Sequence, residues 1–295
     1  MISINTNYGG LYASNAANQS QKVLDRAMER LSTGMRINYA KDDAAGQAIS
    51  TRLTAELEGL AMASRNAADA QSLIDTAEGA LGETQNLLLR MRELAVQSSN
   101  GTLVASDRTA LDAEFEQLKS EIDRIDTNTK WGGIEIFDGN AKTFQVGTGN
   151  TANDRISYTF ADMSKAIIPN IDHDGDGAAA DVAAAGGNPA QTAPVESDIS
   201  TAMAAQATIA ALDTAINTVS SERGKLGAVS NRLSSTMANL DQVHVNLSAS
   251  QGRIQDADFA AETGNLAKGQ ILQQAATAML AQANASKQTV LALVR

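Results

Sequence analysis

The sequence predicts a mainly α protein, and three observations carry that prediction. Of the 295 residues, 43% are hydrophobic but only 3% are aromatic, a balance that favours slender helices packed closely through small side chains. Long stretches repeat apolar residues at spacings of three and four, which is the helical period. All three prolines fall between positions 169 and 194, so the flanking sequence is free of proline breaks. We therefore expect an elongated rod: a terminal coiled coil plus a helical bundle with a small β-hairpin and a short irregular insertion.

The composition argues against several classes of function. A formal net charge of −11 repels phosphate groups, which disfavours a nucleic-acid partner. The chain has no cysteine and therefore no disulfide or thiolate chemistry. Its first 24 residues lack the basic and apolar regions of a secretory signal peptide, and no apolar run reaches the roughly 18 residues of a membrane span. Export, if it occurs, would use another route.

Both ends of the chain carry a weak coiled-coil pattern. The N-terminal seam runs through Ser14, Ala17, Gln21, Leu24, Met28, Leu31 and Met35. The C-terminal seam runs through Leu272, Ala276, Met279, Ala283, Ser286, Val290 and Leu293. Isolated helices with so few large apolar residues are marginal in water. Residues 1–42 and 255–295 are therefore expected to pair with each other and with neighbouring copies as an inner coiled-coil domain.

Three longer patterns predict the helices of a second domain. One helix is expected over 43–99, stopped by Asn100 and Gly101, and another from about Asp107 to the TNTKWGG motif. Beyond the prolines, a register from Ile209 to Leu247 advances in steps of three or four throughout. We expect these helices to form an outer helical bundle over residues 43–146 and 201–254.

A hairpin and an insertion complete the predicted architecture. Residues alternate in IEIF, at 134–137, and in KTFQV, at 142–146, with DGN between them as a turn. This pattern predicts two paired strands. Residues 147–200 contain the prolines and a run rich in glycine and alanine. They are expected to form a short, surface-exposed variable insertion.

One motif in the insertion suggests a metal. Asp172, Asp174 and Asp176, followed by Gly177, match the first half of a calcium-binding loop. The twelfth loop position, which should supply a bidentate glutamate, is Ala183. A solvated acidic turn is therefore the favoured interpretation, and a calcium site at the three aspartates is the weaker alternative.

The sequence offers no arrangement typical of catalysis. Its two histidines are His173 and His244, so the zinc-binding pattern of two histidines four apart with a glutamate between them is absent. His244 lies in the apolar register of its helix, where packing is favoured over ligation. We expect neither an enzyme nor a cofactor.

Four longer motifs are more specific than these patterns. They are ISINTN at 2–7, LSTGMRINYAKDDAAGQAIS at 31–50, MRELAVQSSNGT at 91–102 and RIQDADFAAETGNLAKGQILQQAATAMLAQANASKQTVLALVR at 253–295. In this order they resemble bacterial flagellin, the filament subunit of the flagellum. The resemblance implies a secreted structural protein that polymerises with itself into the extracellular flagellum for motility. It also implies termini that are disordered in the monomer and fold on polymerisation.

The resemblance assigns roles to individual residues of the inner domain. The break around Asn38, Asp42 and Asp43 resembles the connection between inner coiled coil and outer bundle, so these residues would form a hinge. One of the two aspartates would cap the next helix. Inter-subunit contacts of the inner core would fall on Leu24, Met28, Leu31, Leu272, Met279 and Val290. Packing within one chain is the alternative role for these side chains.

A second set of implied residues lies in the outer bundle. Arg90, Leu94 and Glu114 occupy positions that in similar flagellins contact the Toll-like receptor that senses monomers. Arg90 and Leu94 are four residues apart and would share one helix face. A contact between neighbouring bundles of a filament is the alternative role of this surface.

Other partners follow from the resemblance alone. They are the flagellar export apparatus and its chaperone, the filament cap and the hook-associated proteins. A hook-filament junction protein or a secreted helical adhesin is the alternative to a filament subunit. The intact motifs at 91–102 and 270–284 favour the subunit.

Overall fold

The structure is a computed structural model that describes residues 6–161 and 199–293, with the side chains of the last helix described up to residue 286. The chain divides into two compact units. Met1–Glu58 and Val243–Arg295 form one, here named the terminal unit, and Gly59–Gln242 form the other, the central unit. Most of the described chain is α-helical, which confirms the mainly α prediction.

The helices of the described residues begin and end close to the predicted positions. Their bounds are α1 Tyr8–Thr33, α2 Ala44–Ser98, α3 Ala105–Asn128, α4 Ala202–Gln255 and α5 Phe259–Leu293. The unit boundaries fall inside α2 and α4, whereas the sequence placed the domain boundary at the glycine- and aspartate-rich break before α2. The first turns of α2 belong to the terminal unit because Ser50 donates a hydrogen bond to Gln255 there, at 2.9 Å.

Local hydrogen bonds explain where α1 begins and ends. The side-chain oxygen of Asn7 accepts the backbone N–H of Gly10 at 3.0 Å, which satisfies a free donor of the first turn. At the other end, Gly34 adopts a left-handed conformation with φ 72°, and its N–H donates to the carbonyl of Arg30 at 2.9 Å. A glycine is favoured there because it carries no β-carbon.

In the terminal unit α1 and α5 pack side by side in opposite directions. The side chain of Asn7, at the start of α1, donates to Asn284, late in α5, at 3.3 Å. Arg30, near the end of α1, pairs with Glu262, near the start of α5, at 2.8 Å. These pairs require an antiparallel arrangement, as expected for the two ends of one chain.

The central unit contains a core of large side chains. Sections of α2 and α4 contribute apolar residues at helical spacing, α3 contributes two, and the strands close one side. Its most deeply buried large side chains include Ile74, Leu88, Met91, Leu94, Phe115, Ile122, Ile136 and Phe160. This unit therefore has a hydrophobic core of its own.

The strands of the central unit pair differently from the predicted hairpin. They are β1 Lys130–Trp131 with β2 Ile134–Glu135, and β3 Ala141–Gln145 with β4 Arg155–Thr159, both antiparallel. The predicted pairing of 134–137 with 142–146 is therefore wrong. Gly132 and Gly133 have φ values of 58° and 85°, and two such residues form the tight turn that folds β2 back onto β1.

Part of the predicted insertion is strand and core. β4 lies inside the range 147–200, and Ile156 and Phe160 are buried. The alternation in RISYTF, at 155–160, accounts for this, because every second side chain faces the helices. The prediction of a surface-exposed insertion is therefore wrong for these residues. Asp172, Asp174 and Asp176 lie outside the described residues.

Candidate assembly surface

The seam between α1 and α5 is built from small residues. Its buried positions are Gly10, Ala13, Ser20 and Ala27 on α1, and Glu262, Gly269 and Ala276 on α5. A β-carbon added at Gly269 would lie 3.3 Å from the Cβ of Leu24 and 3.4 Å from its backbone nitrogen. The helices approach each other closely at this point, so a bulky residue is excluded from position 269.

The observed seam is offset from the predicted one. On α1 the structure buries Ala13, Ser20 and Ala27 where the sequence predicted their neighbours Ser14, Gln21 and Met28. Leu24 and Leu31 belong to both registers and are half-buried. The prediction followed the spacing, whereas close contact between two helices selects the smallest residues. On α1 the predicted seam is therefore wrong at Ser14 and Met28, which are exposed, while the half-buried Gln21 accepts a hydrogen bond from Gln273 of α5 at 2.6 Å.

This offset leaves large apolar side chains on the surface. Met28, Leu272 and Met279, all predicted as inter-subunit residues, are 51%, 46% and 63% exposed. Packing within one chain therefore does not account for them. The side chain of Val290 lies beyond the described side chains.

A groove beside the seam gathers several of these residues. It has a volume of about 620 Å³ and is lined from α1 by Gly9, Tyr12, Ala13 and Ala16, and from α5 by residues that include Leu272, Ala275, Ala276 and Met279. Tyr12 is 82% exposed. An exposed and almost entirely apolar groove of this kind is typical of a surface that binds another protein.

One ion pair fixes the relative position of the two helices. Glu262 is buried at the seam, where it accepts a hydrogen bond from Arg30 at 2.8 Å and another from Asn265 at 3.1 Å. Burial acts to raise the pKa of Glu262, but these hydrogen bonds and the positive charge outweigh it, so the pKa lies below its usual value. The carboxylate is therefore charged at neutral pH and holds Arg30 in place.

The predicted hinge residues make local hydrogen bonds around the start of α2. Asp43 is the helix cap, since its carboxylate accepts the backbone N–H of Gly46 at 2.9 Å. Asp42 accepts the N–H of Tyr39 at 3.2 Å and closes the preceding turn. The amide of Asn38 donates to a backbone carbonyl three residues earlier, at 3.1 Å. Whether the segment acts as a hinge stays a prediction.

Sequence reasoning missed one residue of this segment. Ile37 is buried, with only 2% of its surface exposed, and a β-carbon on Gly46 would come within 2.6 Å of its Cδ1. Glycine at position 46 therefore makes room for the isoleucine. An isoleucine between the polar residues Arg36 and Asn38 was the available signal.

In the central unit the structure brings together two of the three predicted receptor residues. The guanidinium of Arg90 donates to the carboxylate of Glu114 at 2.7 and 3.0 Å, and both side chains are exposed. Leu94 is buried at 1% because it lies in the core stripe of α2 with Met91. Leu94 therefore does not lie on the exposed surface that carries Arg90 and Glu114, and its role in a receptor contact stays a prediction.

The described residues contain neither a cluster of metal-binding side chains nor a helix that could span a membrane. Within residues 6–161 and 199–293, no group of three or more histidine, aspartate or glutamate side chains is placed to hold a metal. Among the helices of those same ranges, none combines the length and apolar character needed to cross a membrane.

Comparison with known proteins identifies the family. The model of the bacterial flagellin N-terminal helical region matches residues 4–142, and that of the C-terminal helical region matches 209–294. The flagellin of Halalkalibacterium halodurans is 44% identical over 94% of this chain and 93% of its own length. That of Bacillus subtilis strain 168 is 41% identical over 99% of both chains.

A comparison of structures concerns the fold alone. A protein described as flagellar hook-associated, from Vibrio parahaemolyticus, superposes with a TM-score of 0.55 at 14% identity, over 73% of this chain and 100% of its own. The family models cover both helical regions, and curated flagellins align over almost the whole chain. The chain belongs to the bacterial flagellins, the structural proteins of the flagellar filament.

Proposed function

We propose that this chain polymerises with itself into the extracellular flagellar filament that serves motility, and that the terminal unit carries the inner contacts. The observation that supports this most directly is the apolar groove beside the α1–α5 seam, with Leu272 and Met279 exposed in it. A second copy of the same helices is the occupant proposed for it. Because the groove and its occupant are different surfaces, contacts of this type propagate into an open helical filament.

The terminal helices fold fully only on polymerisation. Their seam buries small residues such as Ala13, Ala27 and Ala276, so each helix gains little apolar burial from its partner within the chain. A neighbouring subunit supplies the missing contact at the moment of assembly. The ordering cost is then offset by inter-subunit burial rather than by folding of the monomer.

Seeded elongation tests this function. Purified monomer is added to short filament fragments and growth is followed by electron microscopy. The full chain is expected to elongate, whereas a chain lacking residues 268–295 should not. Met279→Glu should also abolish growth by placing a charge in the groove, while Met203→Glu, at an 83% exposed position of the central unit, is the matched control.

The opposite result would favour the alternatives. A full chain that stays monomeric on seeds, with helical and protease-resistant ends, would indicate a hook-filament junction protein or a secreted helical adhesin. The export apparatus with its chaperone, the filament cap and the hook-associated proteins are the remaining partners in this proposal.

Receptor recognition is a second function of the monomer, proposed for the surface at Arg90 and Glu114. Their exposed ion pair is the feature that supports it. Cells carrying the Toll-like receptor and a reporter would respond to wild-type monomer, and Arg90→Ala should weaken the response. Leu94→Ala is the contrasting variant. Because Leu94 is buried, this substitution should weaken the response only by lowering the stability of the fold. An unchanged response to Arg90→Ala at unchanged stability would remove this role from Arg90.

A further inference from the structure

The methionines of the described residues differ in exposure. Four of them are exposed, Met28 and Met279 in the terminal unit and Met62 and Met203 in the central unit. Of these four, Met279 lines the apolar groove. Met91, by contrast, is fully buried in the central unit. Exposed methionines are the ones that oxidants reach.

We propose that Met279 is an oxidation site that controls assembly: a peroxide converts its thioether to the sulfoxide, and the oxidised groove no longer accepts a second copy. This inference rests on the proposed function of the groove. It concerns a chemical modification of the surface rather than the existence of the surface itself.

The reaction needs one peroxide molecule and no catalyst from the chain. The sulfur of Met279 attacks one oxygen of hydrogen peroxide, so that an S–O bond forms as the O–O bond breaks. The departing hydroxide takes the proton of the transferred oxygen and leaves as water. The sulfur is oxidised by two electrons and the peroxide is reduced. Methionine sulfoxide reductases reverse the change.

The surroundings of Met279 make the change in polarity costly for binding. Leu272, Ala275 and Ala276 line the same groove, and the residues with polar side chains in the lining include Gln282. A sulfoxide covered by an apolar partner would lose its hydrogen bonds to water without an equivalent replacement. Met203 is even more exposed but lies outside the groove, so its oxidation should leave assembly unaffected.

The test compares two variants that differ only at Met279. The reporter variant carries Met28→Leu, Met62→Leu and Met203→Leu, and the resistant variant carries Met279→Leu in addition. Seeded elongation of each is measured with and without hydrogen peroxide treatment of the monomer, and each variant is compared with its own untreated rate. Treatment should slow the reporter variant about tenfold and leave the ratio for the resistant variant near one.

Two further measurements complete the test. Incubation of the treated reporter variant with the two methionine sulfoxide reductases that together reduce both sulfoxide epimers should restore its elongation. Peptide mass spectrometry of wild-type protein should find Met279 oxidised in monomer but protected in filaments, while Met203 is oxidised in the monomer as well.

The outcomes separate this inference from the proposed function. If untreated protein does not elongate, the filament function itself fails. If untreated protein elongates but treatment slows both variants equally, or neither, Met279 is not the controlling site. Equal oxidation of Met279 in monomer and filament would also overturn the inference, since a residue covered by a neighbouring copy must be protected.

Discussion

The α1–α5 seam of the terminal unit buries smaller side chains than the core of the central unit. The central unit buries phenylalanines and branched aliphatic residues, among them Phe115 and Ile122, at essentially zero exposure. Apart from Glu262, the α1–α5 seam of the terminal unit instead buries alanine, glycine and serine, and several large apolar side chains beside it, such as Met279, are exposed. The central unit therefore has a core of its own, whereas the seam gains less apolar burial within the chain, and under the proposed function other copies supply the remainder.

The largest expected effect is the loss of stability that follows when core volume is removed from the central unit. Phe115→Ala should lower the free energy of unfolding by about 3–5 kcal/mol, because a large buried ring is replaced by a cavity. Met279→Ala, in the terminal unit, should change it by no more than about 0.5 kcal/mol in the monomer.

Urea unfolding measures this difference when it is followed both by tryptophan fluorescence and by helical circular dichroism, because the helical signal includes α1 and α5. The chain has one tryptophan, Trp131, which packs against the core of the central unit and reports on that unit alone. If Phe115→Ala and Met279→Ala lowered the free energy of unfolding by similar amounts, the contrast between the two units would be contradicted.

The second effect concerns the close approach of α1 and α5. Gly269→Leu should separate the helices, since even a β-carbon at this position meets Leu24 at 3.3 Å. The expected cost is about 1–3 kcal/mol per subunit, the range of overpacked cores. It is measured as a lower midpoint temperature for loss of helical circular dichroism in filaments.

A matched control lies on the same helix. A β-carbon at Gly264 meets nothing within 4 Å, so Gly264→Leu should be neutral or mildly stabilising, because leucine favours the helix more than glycine does. If both substitutions lowered the midpoint equally, the effect would come from α5 alone and not from its contact with α1.

The third effect is the pH dependence of the same pair of helices. The folded pKa of Glu262 lies below the unfolded value of 4.5, so its stabilising contribution is fully present above that value and is lost as pH falls through the folded pKa. Glu262→Gln should lower α1–α5 stability by about 1–2 kcal/mol at neutral pH. The difference from wild type should vanish in acid.

The central unit provides the comparison for this titration. There the Lys142 ammonium, through a hydrogen bond, lowers the pKa of Asp138 to about 2, so this carboxylate remains charged further into acid. Circular dichroism of filaments from neutral pH downward checks the expectation. A constant difference between wild type and Glu262→Gln at all pH values would show that the charge of Glu262 is not involved.

The helices could be predicted from sequence because their patterns are long. A helix over 43–99 was expected and α2 spans Ala44–Ser98, since an uninterrupted register of many turns leaves one solution. The seam of α1 was harder to predict. Spacings of three and four fit both the predicted seam and the neighbouring register that the structure shows. The close approach of Gly269 to Leu24 distinguishes the two registers, and it is a contact between distant parts of the chain.

The strands and the predicted receptor surface depended on contacts between distant residues. Turn residues occur both at Gly132–Gly133 and at DGN, and the choice between them depends on the burial of Ile136 and Phe137. Similarly, the spacing of Arg90 and Leu94 predicts one shared helix face, but the position of that face relative to the core depends on how α2 packs. Local sequence does not contain this information.

The smallest expected effect is at the ion pair between Arg90 and Glu114. Both side chains are almost half exposed, at 48% and 45%, so water screens their attraction and Glu114→Ala should change the free energy of unfolding by less than about 1 kcal/mol. Urea unfolding of the two proteins measures it. A larger loss would assign the pair a structural role in the central unit. A small loss accompanied by weaker receptor activation would instead show that this surface serves recognition, because binding can be impaired there without loss of stability.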